Sequence, residues 1–249
     1  MSFWDHLEVL RGTIVRSALS ILLLSIAVFC FREFVFGKIV FGPIAPGFFL
    51  YEWMGSPVDV DLINVNVTAQ FMVHMKESVI LGFILSFPYI CFEIWRFIAP
   101  ALYEQEKKPV RVAFIGGSVL FYVGLLVGYL IILPLALHFF LTYQVSDLVR
   151  NSITLDSYIS LFNSTILAFG IVFEFPMVVV LLSHLGVLHR AALNKYRKHA
   201  LVAVLVVAAI ITPADPLSML IAAVPLWLLF ELSVLLCRSE EHTSELQSR

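Results

Sequence analysis

Six stretches of this 249-residue chain stay apolar for long enough, or nearly so, to cross a bilayer. A helix needs about 20 residues to span the hydrocarbon region. The windows are Thr13–Phe36, Ala69–Ile94, Val112–Leu141, Asp156–Leu185, His199–Thr212 and Leu217–Cys237. Lipid offers no partner to a backbone N–H or C=O, so spanning segments of this kind must be helical. The fold class expected is therefore an all-α membrane protein with six transmembrane helices. The fifth window is short. Lys198 bounds it on one side and Thr212-Pro213-Ala214-Asp215-Pro216 on the other, so spans five and six form either a tight hairpin or one re-entrant unit. The chain is 60% hydrophobic and only 14% charged, whereas soluble domains carry about 25% charged residues.

Lysine and arginine set the expected orientation. Arg11, Arg16, Arg96, Lys107, Lys108, Arg111, Arg190, Lys195, Arg197 and Lys198 fall on one side of the windows. Arg32, Lys38, Lys76 and Arg150 fall on the other. Positive charge is retained on the cytoplasmic side, so both termini are expected there. The net charge of −2 leaves no basic face for nucleic acid. Met1–Arg16 is polar, and no small-residue cleavage site follows the first window, so that window is expected to be retained as a span.

The longest external loop, Gly37–Thr68, carries turn signals at Gly42-Pro43, Ala45-Pro46-Gly47 and Ser56-Pro57. Phe48–Met54 between them suits a short helix in the interface. Cys30, Cys91 and Cys237 are read as small packing residues. Cys30 sits near the opposite membrane face from the other two, which disulfide geometry cannot bridge, and no spacing suggests a metal. The glycosylation sequons at Asn66 and Asn163 are read as chance matches, Asn163 falling inside span four. No internal repeat is evident. Residues 238–249 resemble the translation of a sequencing-library adapter, so the membrane domain is expected to occupy 1–237 and the tail to be an assembly scar.

Glu174 is read as the one deep acid. No Lys, Arg, Asp or other Glu lies between Asp156 and Arg190. A charge at the centre of a spanning helix costs roughly 2.5–3.5 kcal/mol, so the carboxyl must face a wet cavity, find a partner or take up a proton. Pro176 follows and should kink the helix beside it. In the loop after span two, Glu104 and Glu106 could bind guanidinium groups of a partner, or could simply neutralise Lys107, Lys108 and Arg111. Asp215 suits a turn or the N-cap of span six. Glu231 lies toward the cytoplasmic end of that span, where it either serves a function or snorkels to water. Ser118 and His138 lie about 20 residues apart on one span and cannot meet as a catalytic pair. No Walker A lysine, HExxH or GxGxxG is present, so neither an enzyme nor a cofactor is expected.

The stretches His6-Leu7-Glu8-Val9-Leu10-Arg11, Trp95–Lys108, Pro134–Leu137, Tyr158-Ile159, Phe169–Pro176, Thr212-Pro-Ala-Asp215 and Pro225 to Glu231 together resemble the TatC family. The likeness runs from His6 to Cys237, and its most specific part is Phe-Ile-Ala-Pro-Ala-Leu-Tyr with a glutamate downstream. The resemblance implies a receptor in the bacterial inner membrane for folded proteins bearing twin-arginine signal peptides. It implies a concave bundle, an oligomeric complex with single-span TatA/TatB-type subunits, contact with membrane lipid, and transport driven by the proton-motive force. It also implies that Phe97 and Glu106, with Glu104, Glu8 and Arg11 nearby, bind the twin-arginine motif. Val9 stands where the family motif has glutamate, and Glu8 precedes it. Glu174 matches an acid facing the family's cavity, and Pro43 a proline of its external cap. Thr212 fits the family's polar contacts for single-span partners, whereas Met219 replaces a frequent glutamine. The rival readings are a proton- or cation-coupled transporter for a small solute and a ligand-free scaffold.

Overall fold

The computed structural model describes residues 3–45, 47–54, 61–146, 151–184, 187–188, 190–212 and 216–247. Of residues 3–6, 52–54, 105–106, 184, 190–191, 216–217 and 238–247 it describes the backbone alone. The chain is helical nearly throughout. Among the described residues, five segments are long and apolar enough to cross a membrane: Leu7–Cys30, Ala69–Ala101, Lys107–Thr142, Leu155–Ser183 and Ser218–Cys237. The expected fifth span is the 15-residue helix α10 (Arg197–Ile211), which falls short of full bilayer depth. It packs against α11 (Pro216–Gln247), so the last two spans are a helical hairpin. Residues 213–215, with Asp215, lie outside the described residues, as do the side chains of the tail from Arg238 onward.

Two compact units divide the chain. The first comprises Met1–Leu102 and Tyr129–Ser164. Its long helices are α1 (Phe3–Cys30) and α4 (Ala69–Ile98), which pack along each other. They approach closely because α4 carries Gly82 at the crossing. A Cβ there would lie 2.2 Å from Ser25 Oγ and 2.7 Å from the Ser25 backbone nitrogen. Small residues are the usual means of bringing membrane helices together, since lipid tails are as apolar as leucine.

Between α1 and α4 run α2 (Arg32–Phe34), a π-helical turn Val35–Val40, a 3-10 turn Gly42–Ile44 and the expected short helix α3 (Phe49–Met54). Pro43 is buried in the 3-10 turn. Tyr129 donates to the Ile39 carbonyl at 2.8 Å and Tyr158 donates to that of Val40, anchoring this segment by its backbone. Strand β1 (Leu62–Ile63) pairs in parallel with β2 (Ile153–Thr154), in the register Leu62↔Ile153 and Ile63↔Thr154. The pairing ties together the segments that lead into α4 and α7 (Leu155–Val172).

The second unit comprises Tyr103–Gly128 and Thr165–Arg249. Helix α5 (Glu104–Val127) packs against the second half of span four. It continues through a π-helical segment, Gly128–Ile132, into α6 (Leu133–Thr142) of the first unit. Helix α8 (Phe175–His184) packs on α11, and α9 (Arg190–Lys195) closes the group. Val179, Leu193, Phe230, Val234 and Cys237 form its core. Cys91 and Cys237 are buried thiols, consistent with packing roles, while Cys30 is an exposed one.

Candidate functional site

Span four is broken at its acid. Helix α7 ends at Val172 and α8 begins at Phe175, leaving Phe173 and Glu174 as a turn. Pro176 has no N–H to donate to the Val172 carbonyl, which accounts for the break. The chain tightens there, with Glu174 N donating to Ile171 O at 3.1 Å. The Glu174 side chain is 9% exposed, and neither carboxylate oxygen has a hydrogen-bond partner among the described residues. It lies against α5, where a Cβ on Gly117 would come within 2.7 Å of Oε2 and 2.6 Å of Met177 Sδ. Gly117 thus leaves the room that the acid occupies. A recess of about 160 Å³ in the same unit is lined by its chain neighbours Val172 and Phe175, together with α10 and α11.

In the first unit, α1 and α4 line a groove of about 540 Å³. Leu10, Thr13, Ile14, Ser17, Ala18 and Ile21 line one wall, and Ile90, Ile94, Phe97 and Ile98 the other. The groove is therefore almost wholly apolar, with Phe97 half-buried in it. Alongside, Glu93 is 1% exposed and accepts from Arg16 Nε at 2.9 Å and Nη2 at 2.7 Å. Tyr89 donates to its other oxygen at 3.1 Å, and Arg96 Nη1 lies 4.0 Å away. A buried carboxylate with a guanidinium and a phenol on it is a satisfied charge. Glu8 and Arg11 are exposed on α1, Arg11 falling between the groove-lining Leu10 and Thr13.

The remaining candidates are spread out. Glu104 opens α5 and pairs with Lys107 at 2.5 Å on the surface, as the self-neutralising alternative expects. Glu106 lies in the first turn of α5, and its side chain is outside the described residues. Thr212 is buried and donates to the Ala208 carbonyl at 2.8 Å, while Met219 is half-buried in the first turn of α11. Glu231 pairs with Arg197 across the α10–α11 hairpin, so it is relieved by a partner as well as by partial exposure.

Glu174 is not the one deep acid. Glu77 and Glu93 on α4 are both fully buried, and the sequence reading missed them. Each lies beside or near a basic residue in the chain, Lys76 and Arg96, and so resembles an interfacial charge. A signal existed for Glu77: Asn163, a polar residue at matching depth in span four, is its hydrogen-bond partner.

Three comparisons with known proteins bear on this arrangement. A family model described as Sec-independent protein translocase protein (TatC) matches residues 5–225. The TatC protein of Blattabacterium sp. subsp. Periplaneta americana is 34% identical, covering 94% of this chain and 94% of its own length. The Aquifex aeolicus TatC is 37% identical over 76% of this chain and 80% of its own, and that of Escherichia coli K12 35% identical over 73% and 70%. A crystal structure described as twin arginine translocase receptor TatC superposes with a TM-score of 0.72 at 36% identity, covering 94% of this chain and 98% of the other. A second, of the receptor in DDM, gives 0.74.

Proposed function

The chain belongs to the TatC family of Sec-independent protein translocase components, and on that footing we propose that it binds twin-arginine signal peptides and recruits single-span subunits. The observation that carries this reading is the apolar groove between α1 and α4, with Phe97 in its wall. An extended or helical apolar segment is what such a groove accommodates, and a signal peptide presents one immediately after its arginines.

The proposed sequence has two steps. Glu106, with Glu104 or Glu8, clamps the two signal arginines, because a carboxylate binds a guanidinium bidentately. Phe97, nine residues upstream of Glu106, supplies the apolar contact beside them. The apolar signal segment then meets Glu174, and TatA/TatB-type partners assemble at the hairpin around Thr212 and Met219. The proton-motive force drives export of the folded cargo. The basic loops support a placement with both termini in the cytoplasm. Similar solved structures described as twin arginine translocase receptors support the same reading.

Site-specific crosslinking tests it. A photoreactive residue at position 97 or 106 should capture a twin-arginine signal peptide and lose it when both arginines become lysine. Equal capture of the two peptides overturns the assignment.

A further inference from the structure

Glu77 sits in the third turn of α4, and its side chain is 0% exposed. Asn163 on α7, itself 5% exposed, donates from Nδ2 to Glu77 Oε1 at 2.5 Å. The other two polar atoms of the pair, Glu77 Oε2 and Asn163 Oδ1, are both shut away with no hydrogen-bond partner among the described residues. No described ion pair involves Glu77. Lys76, the nearest cation along the chain, is exposed, and one residue turns a helical side chain by about 100° away from its neighbour.

An ionised carboxylate has acceptors only, and an amide oxygen is likewise an acceptor. The charged form of Glu77 therefore leaves two buried acceptors orphaned beside a buried negative charge, and orphaned buried polar atoms are rare. A single proton answers both. With Oε2 protonated, its O–H has Asn163 Oδ1 to donate to while Nδ2 donates to Oε1, closing a carboxylic acid–carboxamide ring.

We propose that Glu77 and Asn163 form a proton-holding site between α4 and α7, with Glu77 as the neutral acid at neutral pH. The bound proton comes from water, and the carboxylate is the base that takes it. The ring then fastens two parallel helices whose entrances are already tied by β1 and β2. The titratable groups around it are few. Tyr158 on α7 lies within electrostatic reach, and Lys76 from its own helix. His74, one turn earlier, is engaged with the Phe29 carbonyl at 3.1 Å and stacked on the Phe29 ring. Lys76 is the one fixed cation among these, and it is exposed and forms no described ion pair with Glu77. The site is separate from Glu174, which belongs to the other unit.

Infrared difference spectroscopy of the full chain in lipid tests the proposal, using a Glu174→Gln background; Glu93 is held as a carboxylate by Arg16, so Glu77 is the buried acid that reports. At pH 7 the protonated-carboxyl C=O band should be present and should disappear in Glu77→Gln. Glutamine reproduces the ring, its Nε2 donating to Asn163 Oδ1, so Glu77→Gln should melt at the parent temperature whereas Asn163→Leu should melt lower. A band unchanged by Glu77→Gln shows that residue 77 holds no proton, and a Glu77→Gln protein that melts lower or does not fold shows that it is needed as an anion; either result overturns the proposal.

Discussion

Arg16 of α1 grips Glu93 of α4 through two nitrogens, Nε at 2.9 Å and Nη2 at 2.7 Å from the same carboxylate oxygen. The carboxylate is 1% exposed, and the arginine side chain 40%. Removing one partner of such a pair strands a buried charge, which costs about 3–5 kcal/mol. Arg16→Ala should therefore lower the unfolding temperature, by less than a pair buried on both sides would, because the arginine is partly exposed. The double change Arg16→Met with Glu93→Leu should recover most of the loss, since it removes the stranded charge. Thermal unfolding of the two variants in detergent checks both expectations.

The pair between Arg197 and Glu231 looks alike in a contact map but differs in solvation. Its side chains are 47% and 31% exposed. Exposed pairs contribute about 0–1 kcal/mol, because water screens them and ordering two long side chains costs entropy. Glu231→Gln should shift unfolding by less than about 1 kcal/mol and lose what effect it has at high salt. Unfolding at low and high ionic strength measures this.

Most of the helical layout could be read from the sequence, since apolar windows and their flanking charges depend only on neighbouring residues. Glu174 was legible for the same reason, standing alone in a long uncharged run with Pro176 beside it. The Phe173-Glu174 break follows from that proline. Glu77 and Glu93 were not legible, because each owes its burial to a residue far along the chain, Asn163 at 86 positions and Arg16 at 77. The β1–β2 pairing escaped for a related reason: two residues are too few to carry an alternating pattern.

Gly124 is a position where close packing can be tested without touching charge. A Cβ there would lie 2.5 Å from the Phe169 carbonyl oxygen and 2.8 Å from Phe173 Cβ. The oxygen belongs to a helix backbone and cannot swing aside as a side chain could. Gly124→Ala should cost about 1–3 kcal/mol through forced separation of α5 and α7. Gly116, with open space around its Cβ position, is the control and should tolerate alanine. Comparing the melting temperatures of the two variants decides the matter.

Glu174 separates stability from export. Both its carboxylate oxygens lack hydrogen-bond partners among the described residues, so a neutral isostere forfeits no bond and sheds any cost of a buried charge. Glu174→Gln should unfold no more easily than the parent. Export should respond in the opposite direction if the acid meets the signal segment during transport. An interaction worth about 1.4 kcal/mol at the rate-limiting step changes the rate tenfold. Glu174→Gln and Glu174→Ala should each slow export of a twin-arginine reporter by about that factor. The measurement is transport into inverted membrane vesicles, normalised to inserted protein. Export at the parent rate in both variants would remove Glu174 from the mechanism while leaving the Phe97 groove untouched.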